Sequence, residues 1–272
     1  MKSQRVFICA AIVLLIQIGN VVALENNISG NARISGMGFA QVANDNGLLS
    51  NPAGFAEESF TINSSNSELF ATGVIYNYYE IGFKLSSSLQ LKIGYESVED
   101  HDQFDNSGYG QKLMALGLAV RLGPAIRVGA TISQSQYMLL GERTGTGYSL
   151  DVGVGYGPKR LGAAKLNWGL KIDDLSAQRK YTTSRKEIPQ TQVSLGGQLS
   201  TDHLIFAADL QSDSFRCGIE YKVVPSLSLR AGLEKGQLTV GVGISRSFMR
   251  IDYAYWLAEV GPTHRISTGF SF

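Results

Sequence analysis

Apolar and polar residues alternate along most of this 272-residue chain. A period of two places successive side chains on opposite faces of an extended backbone, so the regular element it specifies is a β-strand with one apolar and one polar face. Leu227, Leu229, Ala231 and Leu233 stand against Ser228, Arg230, Gly232 and Glu234; Leu238, Val240, Val242 and Ile244 stand against Thr239, Gly241, Gly243 and Ser245. The same phase separates Phe215, Cys217, Ile219, Tyr221 and Val223 from Arg216, Gly218, Glu220 and Lys222. Nothing comparable recurs at helical spacing after residue 58. The alternation predicts strands near 59–65, 72–86, 89–97, 112–122, 125–138, 147–156, 164–173, 189–199, 203–211, 215–223, 227–234, 238–246, 249–257 and 263–272.

A soluble sandwich and a membrane barrel both satisfy such a pattern, and three features favour the barrel. Residues 1–23 read as a secretory leader, with Lys2 and Arg5 before the apolar run Val6–Ile16 and small residues ahead of Leu24. The polar faces carry glycine, serine and charges of both signs. The chain ends in a strand with alternating aromatics, Phe270 and Phe272, of the kind the outer-membrane assembly machinery accepts. In a bilayer an open sheet edge is not tolerated, so the sheet must close. Splitting 72–86 at Tyr78-Tyr79 would give an odd count; keeping it whole gives about fourteen strands, even as single-chain bacterial barrels require. Short links at Ser86–Ser88, Gly123-Pro124, Val224–Ser226 and Ser247-Phe248 then fall on the periplasmic side, and the longest, 98–111 and 174–188, fall outside. The expected organisation is a leader over 1–23, a plug segment over 24–58 and an all-β, closed antiparallel transmembrane barrel over 59–272, in the outer membrane of a Gram-negative-type bacterium, with lipid as its surroundings.

The polar phase is rich in glycine: Gly82, Gly94, Gly117, Gly129, Gly153, Gly155, Gly169, Gly196, Gly218, Gly232, Gly241, Gly243 and Gly269. Glycine inside a strand marks bending or the close approach of another group. Barrel curvature and room for an inner segment both explain the series. Arg216, Glu220, Lys222, Arg230, Arg250 and Asp252 share that phase and are expected to face the lumen and offset one another across it. A lining of mixed sign does not describe an ion-selective pore.

Other chemistries find little footing. A formal net charge of +1 gives no field for nucleic acid. Cys9 lies in the leader, so Cys217 is left alone on the apolar phase. No His-x-Ser occurs among His101, His203 and His264, Gly36-Met37-Gly38 lacks the strand and third glycine of a dinucleotide site, and no P-loop is present. His101-Asp102, among Glu96, Glu99, Asp100 and Asp105, offers at most a weak cation site on a solvated loop. No catalytic residue, metal or cofactor is expected. Asn51-Pro52 has the residues of a helix start, a capping Asn and Pro at the first position, and fits an ordinary turn equally well.

Residues 24–58 do not alternate. They carry Ala32-Arg33, Gly36-Met37-Gly38-Phe39-Ala40, Val42-Ala43-Asn44-Asp45-Asn46 and Asn51-Pro52-Ala53-Gly54-Phe55-Ala56. This run resembles the entry segment of the FadL-like superfamily, most closely its PorV/PorQ branch, and Asp252-Tyr253-Ala254-Tyr255 with Thr263-His264-Arg265-Ile266-Ser267 resembles that branch's closing strands. The resemblance covers about 45 residues. It implies a plug within the lumen, with Arg33, Gly36, Gly38, Asn51, Pro52, Ala53 and Gly54 as its motif and residues 30–56 in the periplasmic half. It also implies a closing strand in which His264, Arg265, Phe270 and Phe272 serve assembly. The PorV/PorQ likeness implies a secretion-system component that binds a protein partner or cargo; the wider likeness implies passive passage of hydrophobic small molecules. Short outer links leave little for ligand capture and favour the partner-binding role.

Overall fold

The computed structural model describes residues 30–44, 47–100, 108–139, 142–184, 186–212 and 214–272. The leader, His101, Asp102 and Asp105 lie outside these residues. The strands are β1 (Phe60–Leu69), β2 (Val74–Lys84), β3 (Leu89–Asp100), β4 (Tyr109–Arg121), β5 (Ile126–Leu139), β6 (Glu142–Leu161), β7 (Ala164–Tyr181), β8 (Lys186–Glu187), β9 (Gln192–Ser200), β10 (Leu204–Gln211), β11 (Ser214–Val224), β12 (Leu227–Glu234), β13 (Gln237–Arg246), β14 (Met249–Ala258) and β15 (Gly261–Ser271). Each pairs antiparallel with its neighbours, β1 pairs with β15, and β6 pairs with β7, so the sheet closes on itself. Fourteen strands make the wall, and the short β8 adds to the outer part of β7 alone. β2 runs unbroken through Tyr78-Tyr79, as the even count demands.

Closure is pinned at both rims. Phe272 donates its N–H to Phe60 O at 2.9 Å and accepts from Ser59 N at 2.7 Å, which fixes the first strand against the last. This inner rim holds the turns around Ser86–Ser88, Gly123, Pro225 and Ser247. It is the side that faces the periplasm in barrels of this kind. At the outer rim, Lys235 and Gly236 both have positive φ (49° and 83°), the two-residue hairpin turn that matches strand twist.

The apolar phase faces outward. Ile132 is 56% exposed, Ile266 57% and Leu116 42%, exposures that would be a liability in water and are ordinary against hydrocarbon. On β1 the outward phase turns polar at Ser64, Asn66 and Glu68, and the Asn66 amide donates to Asn77 Oδ1 at 2.8 Å.

The segment expected as a long outer loop, 174–188, is instead mostly strand. β6 and β7 run well beyond their predicted ends and pair from Gly145↔Tyr181 to Leu161↔Ala164. Charged residues on both phases, such as Glu142 and Arg143 or Arg179 and Lys180, hide this part from any test of alternation. Between Leu150↔Ser176 and Val152↔Ile172 the register slips: Asp173, Asp174 and Leu175 stand opposite Asp151 alone, with Asp174 at φ 54°.

Candidate functional site

The lumen is occupied by the chain that precedes β1. Asn31 accepts from Ile34 N at 3.0 Å through Oδ1 and so caps a single helical turn, α1 (Ala32–Ser35). Asn51-Pro52 starts no helix; Asn51 Oδ1 accepts from Ala53 N at 2.9 Å and closes a turn. The Asn51 side chain is taken up within the plug, under the close packing of the wall. Gly153 and Gly169 pack on Asn51, whose amide nitrogen donates to Val42 O at 2.7 Å, leaving its side chain spent on tertiary contacts.

The first part of the plug reaches the outer half of the barrel rather than staying in the inner half. Phe39 packs edge-on to Trp256, with ring centroids 5.2 Å apart, beside Ile34, Leu69, Tyr76, Tyr78 and Val98. Leu69 ends β1 at the outer rim. Arg265, fully buried, lies over the Tyr76 ring at 4.5 Å and donates through Nη1 to Gly30 O at 2.9 Å. Tyr76 Oη accepts from Gly30 N and donates to Glu96. Apolar rings and a cation over their faces close this end.

From there the plug descends and the wall binds its backbone. Gly38 donates to Thr239 Oγ1 at 2.9 Å; Gln41 and Val42 both donate to Asp209 Oδ2, at 2.6 and 2.9 Å. Leu48 donates to Glu80; Lys171 and Lys92 donate to Leu49 O and Gly54 O at 2.6 and 2.8 Å. Ala56 donates to Gln90 Oε1 at 3.0 Å. A peptide without regular structure carries unpaired N–H and C=O groups that cost free energy when buried. Here charged wall residues satisfy them. At the inner rim Glu57 pairs with Arg121 and Lys84, and the Arg121 guanidinium lies 4.4 Å from the Phe55 ring centre. The Glu57 carboxyl is held below its ordinary value, first by the hydrogen bond from Arg121.

The inward glycines are where the plug sits. A Cβ on Gly94 or Gly117 would meet Leu48; on Gly129 or Gly153, the Asn51–Ala53 turn; on Gly169 or Gly196, Val42; on Gly218 or Gly232, Met37 and Gly38; on Gly241, the Cα of Gly36. Close approach of an inner segment, not curvature alone, accounts for these positions. Gly38 is constrained twice, by φ +63° and by a Cβ position 2.5 Å from Leu233 N and Cys217 O.

Five of the six predicted lumen charges pair along the wall, within a strand or to a strand one or two away, rather than across the lumen, while Lys222 takes no ion pair among the described residues. Strand register explains two of these pairs: Glu220 lies opposite Arg230, and Arg216 opposite Glu234. Arg216 meets Glu234 at 3.3 Å. Arg230 meets Glu220 at 2.7 Å and Asp252 at 2.9 Å, and Arg250 meets Asp252 at 2.8 Å. The contact across the lumen comes from the plug, where Arg33 reaches Glu220 at 2.9 Å and donates to Asn44. Buried charges of this kind persist only when paired and hydrogen-bonded. Beside this chain of charges lies a cavity of about 410 Å³, open toward the inner rim and lined mainly by polar groups. A second, of about 60 Å³, lies under the β7 bulge, where Leu49, Tyr137 and Ala177 stand beside Lys171, Asp173 and Asp174.

The closing-strand residues do not gather. His264 is on the outer surface near the outer rim, its Nδ1 2.7 Å from Tyr253 Oη, while Arg265 is in the lumen. Phe270 and Phe272 stack on Phe248 at the inner rim. Sequence reasoning missed Asp209, Glu80, Lys92, Lys171 and Gln90, which hold the plug. Each sits on the inward phase of its strand, and a charge there in an otherwise apolar strand such as Ala207-Ala208-Asp209-Leu210 was the available signal. Among the described residues no group of three or more His, Cys, Asp or Glu is placed to hold a metal.

No family model matches the sequence, and no curated protein matches it. Solved structures do. The Pseudomonas putida toluene transporter TodX superposes with a TM-score of 0.60 at 12% identity, over 90% of this chain and 99% of that one. The Ralstonia pickettii toluene transporter TbuX gives 0.57 at 13%, over 90% and 98%. A Pseudomonas aeruginosa FadL homologue gives 0.56 at 10%, over 89% and 98%. At these identities the likeness is one of fold: the chain is an outer-membrane β-barrel whose structural neighbours are FadL-type barrels.

Proposed function

We propose that the protein is a passive outer-membrane transporter for small hydrophobic molecules, with the plug as its gate. The observation that carries this reading is a closed barrel filled by a seated plug whose wall is irregular beside it, at the bulge of β7. Beyond Asp174 the outer part of β7 is bonded on its second edge only to Lys186–Glu187, and the smaller cavity lies directly beneath. A solute entering between the extended β6–β7 hairpin and the plug meets Leu49, Tyr137 and Ala177 there, beside the charged Lys171, Asp173 and Asp174. The toluene transporters among the structural neighbours support the choice of hydrophobic cargo. The secretion-partner reading of the PorV/PorQ-like motifs finds no counterpart among the comparisons. One of its premises, short outer links, also weakens, because β6 and β7 project as a long hairpin.

The test is uptake of a labelled long-chain fatty acid and of toluene by a bacterial host whose lipopolysaccharide leaflet resists both. The expected result is uptake above the host lacking the protein, with no gain for a sugar of similar size. Uptake equal to that of the host alone, with the barrel shown to be folded in the outer membrane, overturns the reading. Co-purification with secreted proteins sharing a common terminal domain would point instead to cargo binding.

A further inference from the structure

We propose that the cavity at the inner rim is a binding site for a small anion bearing a carboxylate or phosphate group, reached from the periplasmic side. This goes beyond the transport reading and does not depend on it. At about 410 Å³ the cavity is within the size range of small-molecule sites. The plug forms one side through Asn31, Arg33 and Asn44, and the other is the inward face of β11–β15 and β1.

The charge arrangement selects the sign of the ligand. Arg33, Glu220, Arg230, Asp252 and Arg250 form a continuous chain of ion pairs in which three guanidiniums alternate with two carboxylates. Both ends of that chain are cationic. Arg250 spends Nε on Asp252; the rest of its guanidinium takes no partner among the described residues, and its side chain is 38% exposed into the cavity. Lys222, on the inward phase of β11, lines the same space, and its side chain takes no hydrogen bond or ion pair among the described residues. Ser228 and Ser245, on the two strands between them, add hydroxyls. Gly243 leaves the space that the Arg230 guanidinium and the Asp252 carboxylate fill, so the ion pairs are packed in place.

The remaining charges of the lining do not reverse this. Glu80 is spent on Leu48 N, Tyr78 Oη and Asn63, and Lys92 binds Gly54 O. Glu58 is exposed at the rim. An oxyanion in this cavity therefore gains charge-assisted bonds from Lys222 or from Arg250, two under-used cations on its lining, each of the stronger class of hydrogen bond. A neutral ligand of equal shape gains neither.

The experiment is calorimetric titration of the folded full-length barrel in detergent with inorganic phosphate, with benzoate and with benzamide. Saturable binding of benzoate or phosphate, and none of benzamide, is the expected result. The double variant Lys222→Gln, Arg250→Gln should weaken that binding by about tenfold or more, since a hydrogen bond to a charged group is worth about 1.5–3 kcal/mol and 1.4 kcal/mol is tenfold. Lys159→Gln, on an exposed stretch of β6, should leave it unchanged. Heat-modifiable electrophoretic mobility confirms that each variant is a folded barrel. Absence of saturable anion binding, equal binding of benzamide, or full binding by the folded double variant overturns the proposal. Uptake of hydrophobic solutes is a separate readout, so failure of one reading is distinguishable from failure of the other.

Discussion

Replacing Gly129 with valine should unseat the Asn51–Gly54 turn of the plug while leaving the barrel closed. Gly129 lies on the inward phase of β5, and a Cβ there would stand 2.7 Å from Ala53 N and closer still to the Pro52 carbonyl. Both are backbone, and neither can rotate away. The turn is held on its far side by Lys92 on Gly54 O and by the Asn51 amide on Val42 O. Relief must therefore come from moving the plug. Overpacking where neighbours can adjust costs about 1–3 kcal/mol, and valine adds two methyl groups to the clash, which places the cost at the upper end. About 3 kcal/mol shifts the equilibrium between seated and unseated turn by roughly 150-fold, because each 1.4 kcal/mol is a factor of ten. The reporter is a cysteine at Ala53, buried in the seated plug, in a Cys217→Ser background. Its alkylation by a water-soluble maleimide should accelerate by up to about two orders of magnitude in the valine variant. Gly197→Ala is the control. It lies one residue off the inward phase, where a Cβ meets only the edge of the Trp168 ring at 3.3 Å, so labelling should not change. Equal labelling rates with and without valine at Gly129, in barrels shown to be folded, would refute the assignment of the inward glycines to the plug.

Asp209→Leu removes the acceptor shared by Gln41 N and Val42 N and leaves two buried donors unmatched. At about 1–3 kcal/mol for an unsatisfied buried group, amide exchange at these two residues should rise by one to two orders of magnitude, and unchanged exchange would refute the anchoring role. Arg265→Met keeps an unbranched side chain of similar length but loses the cation over the Tyr76 ring and the bond to Gly30 O. The outer cluster should loosen, with a red shift and easier quenching of Trp256 fluorescence, and an identical spectrum would count against it. The Glu57 carboxyl, depressed by Arg121, contributes stability that is present above its ordinary value near 4.5 and is lost as pH falls through the lower folded value. Proteolysis near the plug's junction with β1 should quicken over that acidic window, modestly because the pair is largely solvent-screened, and Glu57→Gln should abolish the pH dependence.

Period two made the wall legible from sequence because a barrel buries one face of every strand and exposes the other to lipid. Parity then resolved the doubtful break at Tyr78-Tyr79. Where that contrast vanishes, prediction failed for the same physical reason. The tops of β6 and β7 rise with charges on both phases, around Arg143 and Lys180, and show no alternation although they are strands. The plug has no period, so its path depends on partners remote in sequence. Asn31 rather than Asn51 caps its helical turn because the Asn51 side chain is taken up inside the plug, by Val42 O and Ala53 N. Phase groups these charges on one face of their strands, but their partners follow from register and local geometry. Register sets Glu220 opposite Arg230, whereas Asp252 meets Arg250 on its own strand and Arg230 across Gly243.

Glycine on the inward phase serves two purposes, and their distribution bears on how the gate works. Gly129, Gly169, Gly218, Gly232 and Gly241 admit plug backbone and Gly94 and Gly117 admit the Leu48 side chain, while Gly243 and Gly155 admit the guanidiniums of Arg230 and Arg127. The plug is therefore held on many sides, and the larger cavity is left beside the charge chain toward the inner rim. Complete withdrawal would break Arg33–Glu220, both bonds to Asp209, and the bonds made by Glu80, Lys92 and Lys171. At about 1.5–3 kcal/mol for each charge-assisted bond the total is on the order of 10 kcal/mol, comparable to the stability of an entire folded domain. On the transport reading, expulsion of the plug is thus too costly to accompany each passage. A local movement around Leu48 and Leu49, beside the β7 bulge, breaks the bonds to Glu80 and from Lys171 and leaves the Asp209 anchor and the rim clamp at Glu57 in place. On the transport reading proposed above, that segment is where the plug would open within thermal reach.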